Sequence, residues 1–358
     1  MAEPDPMELL ADAFDGEPAP FGPRGLLVLR ARPSRVFARD ALVCEQGAKP
    51  LHAALEAEGR ETHAALPDAD ADAEGAADAT GFPAAAVCLT RARAENRANI
   101  ARAWARVAEG GRLLVSGAKT DGVESLQKAL RKAGLEVEAA PRRHGRVLSL
   151  TRRGEAPAIF DEWLSEAALA PRVQAGGRDF VTQAGVFSWD RVDPGSALLA
   201  EALPPLSGAV ADLGAGWGYL SARILESEKV TALDLIEAEQ AALDCARRNL
   251  DDPRARFHWA DVRAMPLGRA SHDTVVANPP FHDGREVSLA LGTAFLEAGA
   301  RLLKPSGRLW LVANRTLPYE RVLETAFVEW SEIGGDRTYK LLCAHRPRPP
   351  AARNRQRH

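Results

Sequence analysis

The chain has 358 residues, a length that predicts about two domains and excludes a single small binding module. Hydrophobic residues make up 46% and charged residues 27%, which excludes a disordered or fibrous chain, and no apolar run is long enough to span a membrane. The formal net charge of -3 argues at first sight against a nucleic-acid partner, because nucleic-acid-binding domains are usually basic.

Two further global features favour a cytoplasmic location. The N-terminus, Met-Ala-Glu-Pro-Asp-Pro, is acidic, whereas a secretory signal is basic and then apolar. The cysteines are scattered without C-x-x-C spacing, as expected for reduced structural thiols. No combination of His, Cys and Asp has the spacing of metal ligands, so no metal is expected.

The net charge is distributed unevenly along the chain. Residues 1–80 carry 7 Lys+Arg against 16 Asp+Glu, and residues 81–153 carry 15 against 6. Five arginines follow in residues 344–358, where the sequence predicts a basic disordered tail over 345–358. Basic runs of this kind are either solvated surfaces or sites that contact phosphate, and the sequence leaves both open.

The first half of the chain resembles the end of the second half. An Ala/Asp-rich stretch over 63–80 predicts a loop, and AAAVCLT over 84–90 predicts a strand. The run GRLLVSGAKTDGVESLQKAL from Gly111 then aligns with GRLWLVANRTLPYERVLETA from Gly307. Two copies of one fold explain this match, with a first domain over 1–153. Residues 154–204 join the copies and are predicted to be a linker that also caps the cofactor.

The second domain, over 205–344, alternates short apolar runs with amphipathic segments, which predicts a doubly wound parallel sheet. Strands are predicted at 209–213, 230–236, 255–259, 273–277 and 308–313. Helices are predicted near 218–227, 238–250, 287–303 and 319–325. Two final strand-like runs, 327–333 and 338–344, flank Gly334-Gly335-Asp336 and predict a hairpin, so that the sheet ends with an antiparallel strand.

A glycine-rich loop follows the first strand of the second domain. The strand ends in Asp212, and Gly214, Gly216 and Gly218 alternate with other residues before a helix. Glycines at such a turn let the backbone approach a ligand closely, so the loop, with Ala215, is expected to bind a cofactor.

An acid at the end of the next strand is the expected ligand of ribose hydroxyls. Glu237 is favoured over Asp234, because a helix starts directly after Glu237 whereas Asp234 should still lie within the strand. The loop has no basic residue and no Gly-Lys-Ser/Thr, which favours S-adenosylmethionine over a pyrophosphate-containing cofactor such as NAD. Asp261, after the following strand, is a candidate acceptor for the adenine amino group or a surface acid.

The fourth predicted strand runs into Asn278-Pro279-Pro280-Phe281. Two prolines stiffen the loop and leave its carbonyls free to accept hydrogen bonds. Asn278 Oδ1 and the Pro279 carbonyl can accept from the two hydrogens of a planar exocyclic amine and aim its lone pair at a sulfonium methyl. Phe281 would stack on the base.

These motifs resemble class I S-adenosylmethionine-dependent methyltransferases. Asn278-Pro-Pro-Phe-His-Asp-Gly284 is similar to the ribosomal RNA guanine-N2 methyltransferases of the small-subunit (RsmC) type, as are Gly185-Val-Phe-Ser188, Asp193-Pro-Gly-Ser196, Ala313-Asn314 and Leu317-Pro-Tyr319. The resemblance implies two tandem seven-stranded Rossmann-like folds, the first degenerate. The first copy has Arg91-Ala-Arg-Ala-Glu95 where the second has its Asn-Pro-Pro-Phe motif, so it is expected to be inactive and to dock substrate or act as a scaffold.

The sequence thus predicts transfer of a methyl group from S-adenosylmethionine to the N2 amine of a guanine in ribosomal RNA. Phe187, Ser188 and His282 are weaker candidates for substrate binding, and His282 is more readily explained as a structural residue. Alternatives are methylation of adenine N6 or of a protein glutamine, and a non-catalytic RNA-binding assembly factor. Ribosomal RNA or a ribosomal subunit is the expected partner, and a monomer is expected.

Overall fold

The computed structural model describes residues 4–13, 25–34, 41–67, 81–142, 144–280 and 285–349. The chain divides into two compact units, one of Met1–Ala170 with Gln183–Gly185 and one of Pro171–Thr182 with Val186–His358. The predicted linker over 154–204 is therefore divided between the two units and contains regular elements of both.

The first unit is an α/β fold around a seven-stranded sheet. Its helices are α1 (Pro6–Ala13), α2 (Lys49–Ala57), α3 (Arg93–Arg106), α4 (Val123–Lys132) and α5 (Ile159–Ala167). Its strands are β1 (Leu26–Leu29), β2 (Leu42–Glu45), β3 (Glu61–His63), β4 (Phe82–Cys88), β5 (Val107–Ala118), β6 (Glu138–Arg142) and β7 (Gly145–Thr151). The strand order is β3-β2-β1-β4-β5-β7-β6, and β7 is antiparallel to both of its neighbours.

The second unit repeats this topology. A two-stranded sheet, β8 (Ala170–Ala175) and β9 (Arg178–Thr182), precedes it. Its helices are α6 (Pro194–Ala202), α7 (Tyr219–Leu225), α8 (Gln240–Asn249), α9 (Arg285–Leu302) and α10 (Glu320–Ala326). Its main strands are β10 (Gly208–Leu213), β11 (Val230–Glu237), β12 (Ala255–Trp259), β13 (His272–Ala277), β14 (Leu303–Asn314), β15 (Phe327–Gly335) and β16 (Tyr339–Pro347). The order is β12-β11-β10-β13-β14-β16-β15.

The predicted fold class is confirmed. Both sheets have seven strands, and the last strand of each, β7 and β16, is antiparallel to its neighbours. The equal strand orders also agree with the repeat that links Gly111 to Gly307.

Three local expectations differ from the structure. Strand β15 includes Gly334 and Gly335, which were predicted to lie in the turn, so the hairpin turn begins only at Asp336. The Oδ1 of Asp336 accepts from the backbone N–H groups of Thr338 and Tyr339 at 2.7 Å each. Strand β3 includes His63, the first residue of the predicted 63–80 loop; residues 64–67 have no regular structure, as predicted, and residues 68–80 lie outside the described residues. Strand β16 continues through Pro347, so the predicted tail starts later, and residues 350–358 lie outside the described part of the chain.

Both faces of the parallel strands are covered by helices, which explains their continuous apolar sequences. All four residues of β1 are buried, with Leu27 and Leu29 in one core cluster and Leu26 and Val28 in another that includes α1. All four cysteines are buried and none forms a disulfide. Within the part of the chain that the structure describes, no helix is long and apolar enough to cross a membrane.

Candidate active site

A cavity lies at the carboxyl ends of the central strands of the second unit. Strands β10 and β13 are parallel neighbours, and Leu213 pairs with Ala277, so the loops that follow them leave the sheet at the same edge. The cavity is lined by Phe187, Ser188, Asp193, Ser196, Gly214, Ala215, Gly216, Trp217, Tyr219, Leu220 and Asn278. The glycine loop and Asn278, which the sequence places 60 or more residues apart, therefore share one site.

The backbone of the loop after β10 has a positive φ, which favours glycine, at Gly214, Gly216 and Gly218. Gly214 has a φ of +73°, and a Cβ there would lie 3.0 Å from the ring of Phe295. Gly216 has a φ of +55°, but no other atom lies within 4 Å of the place where its Cβ would be. Gly214 is thus needed for packing against α9, whereas Gly216 leaves space in which a ligand can approach the backbone.

Glu237 at the end of β11 is joined to this loop. Its Oε2 accepts from the Gly216 backbone N–H at 2.8 Å, and its Oε1 accepts from the Glu239 N–H at 2.8 Å. Burial raises the pKa of Glu237, although these two backbone N–H groups oppose the rise. Both carboxylate oxygens retain a lone pair, so this side chain can accept from a ligand that carries a vicinal diol.

Asp234, the competing acid on the same strand, has a different environment. Its Oδ1 lies 2.7 Å from His258 Nε2, and its Oδ2 lies 2.9 Å from His272 Nε2. Burial works to raise the pKa of Asp234, but the two histidines outweigh it and hold the pKa well below its usual range. Both oxygens are committed to a buried network within the sheet, so the geometry favours Glu237 as the acid that faces a ligand.

Asp212 is the first residue of the glycine motif and is fully buried; the strand β10 ends one residue after it, at Leu213. The Oδ2 of Asp212 accepts from the Ser221 hydroxyl at 2.7 Å, and its Oδ1 has no hydrogen-bond partner among the described residues. Burial, with repulsion from Glu237, raises the pKa of Asp212 to about 7, although the Ser221 hydrogen bonds oppose the rise. A buried carboxyl with an unused oxygen beside a cavity can interact with a cationic ligand.

Asn278 follows β13 and lines the cavity. Its Nδ2 donates to Asp193 Oδ2 at 2.9 Å and to Ser196 Oγ at 2.8 Å, while its Oδ1 is buried without a partner among the described residues. Pro279 is buried and Pro280 is exposed. Phe281 and His282 lie outside the described residues, so their predicted roles stay predictions.

Aromatic residues brace the wall of the cavity. The rings of Trp217 and Tyr219 stand 5.7 Å apart, and Phe180 of β9 stands 5.0 Å from Trp217. Asn249, at the end of α8, donates to the Trp217 carbonyl at 2.8 Å and exchanges hydrogen bonds with the backbone of Val181. The segment before the second sheet thus supports the glycine loop from outside.

The remaining predicted site residues fall into two groups. Phe187, which is 46% exposed, and Ser188 line the cavity together with Asn278. Asp261 does not line the cavity: its carboxylate accepts from Arg263 Nε at 2.8 and 2.9 Å. Burial works to raise the pKa of Asp261, but Arg263 outweighs it and lowers that pKa. Its role as an acceptor for adenine stays a prediction.

Asp193 and Ser196 are site residues that the sequence reasoning did not single out, although it noted the segment that contains them. A signal was present, because Asp-Pro-Gly-Ser followed by Ala-Leu-Leu-Ala has the cap and the proline that typically start a helix. That signal places the start of α6 and does not reveal that the same carboxylate reaches Asn278.

Comparisons with known proteins agree with this geometry. A family model described as the methyltransferase small domain matches residues 177–343. The ribosomal RNA small subunit methyltransferase C of Shewanella baltica (strain OS195) is 31% identical over 237 residues, which are 64% of this chain and 67% of that protein. That of Shewanella sp. (strain MR-4) is 32% identical over 237 residues, which are 64% of this chain and 68% of that protein.

The chain belongs to the ribosomal RNA small subunit methyltransferase C family. A solved member of similar structure is the T. thermophilus 16S rRNA N2 G1207 methyltransferase (RsmC) in complex with AdoMet and guanosine. It has a TM-score of 0.77 and 27% sequence identity, over 95% of this chain and 91% of that one. The similarity therefore extends through both units.

The first unit of this RsmC-type chain lacks the open loop of the second. The strand registers place Arg30 at the position of Gly214 and Gln46 at the position of Glu237. Arg30 has a positive φ of 55°, as Gly214 has one of 73°. Its guanidinium forms an ion pair with Glu95 and lies 3.5 Å from Gln46 Oε1. A charged pair therefore lies where the second unit has glycines and an open cavity.

Proposed function

We propose that this chain transfers the methyl group of S-adenosylmethionine to the exocyclic N2 amine of a guanine in small-subunit ribosomal RNA. Its relatives are small-subunit ribosomal RNA methyltransferases, and the T. thermophilus enzyme acts on N2 of G1207. The single observation in this chain that carries the proposal is Asn278 Oδ1, a buried acceptor without a partner on the wall of a cavity shared with the glycine loop.

The glycine loop and the acids next to it fit S-adenosylmethionine. The open space at Gly216, which lines the cavity, admits a ligand against the backbone. Glu237 and Asp212 do not line the cavity themselves, but the Glu237 carboxylate binds the Gly216 N–H and can accept from ribose hydroxyls, and Asp212 Oδ1, which has no partner among the described residues, suits the positive charge of the methionine portion. When bound, this cofactor supplies an electrophilic methyl group on a sulfonium. Ala215 and Gly218 complete the loop, and Asp261 is a further candidate at the adenine end.

The protein's own contribution to the reaction is orientation. The lone pair of a guanine N2 amine is delocalised into the ring, so the amine is a poor nucleophile. Asn278 Oδ1 and the Pro279 carbonyl would accept from its two hydrogens and hold the nitrogen with its lone pair directed at the methyl group. An N–C bond forms as the S–C bond breaks, and the nitrogen then loses one proton to water. Phe187 and Ser188 would contact the base, which must first leave any helix.

We further propose that the second unit alone is catalytic and that the first docks substrate or acts as a scaffold, because Arg30 and Glu95 lie where a cofactor would bind. Ribosomal RNA is the proposed partner, and the cytoplasm, where ribosomal subunits are made, is the proposed location. A monomer is proposed because one unit supplies every lining residue of the cavity that the structure describes.

Replacing Glu237 by glutamine should weaken S-adenosylmethionine binding by about 30- to 100-fold and change kcat at saturating cofactor by less than about threefold. The glutamine amide group would face either the Gly216 N–H or the Glu239 N–H, each of which now donates to a carboxylate oxygen. Calorimetric titration gives the Kd. Glu226→Gln, an exposed acid paired with Arg223, is the matched control and should bind normally. An unchanged Kd for Glu237→Gln would remove this residue from the cofactor site.

The proposed function is tested by transfer of labelled methyl from S-adenosylmethionine to undermodified small subunits and to naked ribosomal RNA. Nucleoside analysis should find the label in N2-methylguanine. Label in N6-methyladenine or in protein would contradict the assignment of guanine as the methyl acceptor. Tight RNA binding without any label would contradict the enzymatic function and indicate an RNA-binding assembly factor.

A further inference from the structure

The side-chain amide of Asn278 is held by two residues at the start of α6. Its Nδ2 donates to Asp193 Oδ2 at 2.9 Å and to Ser196 Oγ at 2.8 Å. Both bonds involve only the nitrogen, and the oxygen on the other side of the amide has no partner among the described residues. The protein therefore holds the nitrogen of this amide by hydrogen bonds and leaves the oxygen available to accept one.

Asp193 is itself held in place. It is the N-cap of α6, where its Oδ2 accepts from the Ser196 backbone N–H at 2.8 Å, and it is 7% exposed. A Cβ at Gly195 would lie 3.0 Å from Asp193 Oδ2 and 3.2 Å from the ring of Tyr339, so the cap and its surroundings are closely packed. The same oxygen thus caps the helix and receives the Asn278 amide.

The chemistry of these groups fixes which way the amide faces. The end of an asparagine side chain can turn over by 180°, and its two orientations differ little in intrinsic energy. A carboxylate accepts hydrogen bonds and cannot donate one, so only the orientation with Nδ2 toward Asp193 is favourable. The reverse orientation would place Oδ1 against the carboxylate and direct two N–H donors at the substrate amine.

We propose that Asp193 and Ser196 are positioning residues for methyl transfer, which hold Asn278 with its acceptor oxygen toward the substrate amine. Neither needs to touch the substrate to do so. The identity of that amine rests on the proposed function, but the orientation of Asn278 does not. Preorganised acceptors of this kind lower a barrier because no reorientation is needed during the reaction.

Two substitutions at Asp193 separate orientation from helix capping. Asparagine and serine are both good N-caps, so Asp193→Asn and Asp193→Ser should keep α6 and the thermal stability similar. The Oδ1 of asparagine can take the place of Asp193 Oδ2 and accept from both Ser196 N–H and Asn278 Nδ2, whereas the shorter serine reaches only the helix. Asp193→Asn is therefore the matched control for Asp193→Ser.

We expect Asp193→Asn to keep kcat within about fivefold of the wild type and Asp193→Ser to lower it by about 30-fold. Asp193→Ser combined with Ser196→Ala removes both acceptors and should lower kcat by about 10³-fold. Although Asp193 and Ser196 line the cavity, the Kd of S-adenosylmethionine and the KM for the ribosomal particle should stay within about threefold throughout if both residues act through Asn278. A rise in Kd or KM in proportion to the loss of kcat would mean that they contact a ligand directly, and would overturn the positioning role. Transfer is scored as total label, whichever group receives it.

A second readout requires no turnover. In protein labelled with 15N-asparagine, the side-chain N–H groups of Asn278 should exchange with solvent at least about tenfold faster in the double variant than in the wild type or in Asp193→Asn. Equal kcat for Asp193→Ser and Asp193→Asn, with unchanged amide exchange, would overturn the proposal and leave Asp193 as a helix cap. If the label appears in another acceptor and the variants keep the same order of kcat, the guanine assignment would be overturned and the positioning role of Asp193 and Ser196 would remain.

Discussion

Replacement of Asn278 by alanine is expected to lower kcat by about 10³-fold, which corresponds to about 4 kcal/mol of transition-state stabilisation. The Kd of S-adenosylmethionine should change by less than about threefold. The reason is that Asn278 lines the cavity, its Nδ2 is held by Asp193 and Ser196, and its Oδ1 is a buried acceptor with no partner in the part of the chain that the structure describes. Its removal takes away the group that we propose orients the substrate amine, and it should leave the glycine loop unchanged.

Single-turnover transfer of labelled methyl measures the loss of kcat, and calorimetric titration measures the cofactor Kd. Asn99→Ala is the matched truncation: Asn99 is buried in the first unit and accepts from Arg102, so its removal tests for general damage to folding. That variant should turn over within about twofold of the wild type. An equal loss of turnover and of cofactor affinity in Asn278→Ala would mean that Asn278 serves the cofactor instead.

The elements of the second unit were predictable from sequence because their physical signals are local. Strand β12 spans Ala255–Trp259 as predicted, and β11 and β13 each differ from the prediction by one residue at one end. Strands β11 and β13 are mainly apolar and mainly buried, which identifies central parallel strands. Strand β12, with the sequence ARFHW, lies at the edge of the sheet and has no fully buried residue; there the alternation of polar and apolar residues gave the signal. In the first half, β1 and β2 have four residues each, too few for periodicity to distinguish them from a buried helical segment.

The candidate site was only partly predictable, for a related reason. The sequence identified the residues whose chemistry depends on their immediate neighbours in the chain. These are Asp212, Gly214, Gly216 and Asn278. The contact of Asp193 with Asn278 spans 85 residues, and nothing local to either residue reports it. Its existence depends on how α6 packs against the sheet, which is a property of the tertiary structure.

The net charge of the whole chain was a poor guide to RNA binding, also for a physical reason. The acidic N-terminal stretch and the basic block after residue 81 partly neutralise each other inside the first unit. Glu45 of the acidic stretch accepts two hydrogen bonds from the guanidinium of Arg102 in the basic block. Burial works to raise the pKa of Glu45, but Arg102 outweighs it and lowers that pKa. A sum over the chain therefore counts internal ion pairs together with charges that face a partner, and it neither supports nor excludes RNA binding.

A pH-dependent loss of stability should arise from Asp212. Its carboxyl is fully buried, one oxygen has no partner among the described residues, and the neighbouring Glu237 repels its charge, so its pKa is raised to about 7 from 3.8. The folded chain thus holds a proton that the unfolded chain releases between about pH 4 and pH 7, and its stability falls as the pH rises through that window. The full effect is about 4 kcal/mol, most of it reached by pH 7.

Asp212→Asn removes this titration. The free energy of unfolding of the wild type should fall relative to that of the variant by about 2–3 kcal/mol between pH 5 and pH 8, because the asparagine cannot ionise. Urea unfolding of both proteins at pH 5, 6, 7 and 8, without cofactor, measures the difference at each pH. Titrating groups that do not interact with Asp212 are common to the two proteins and cancel in this comparison, including Asp234, whose lowered pKa acts below pH 4. Glu237 interacts with Asp212, so the measured difference reports the two carboxyls together. A difference that stays constant with pH would mean that the Asp212 carboxyl is ionised throughout, and that a hidden partner already satisfies its second oxygen.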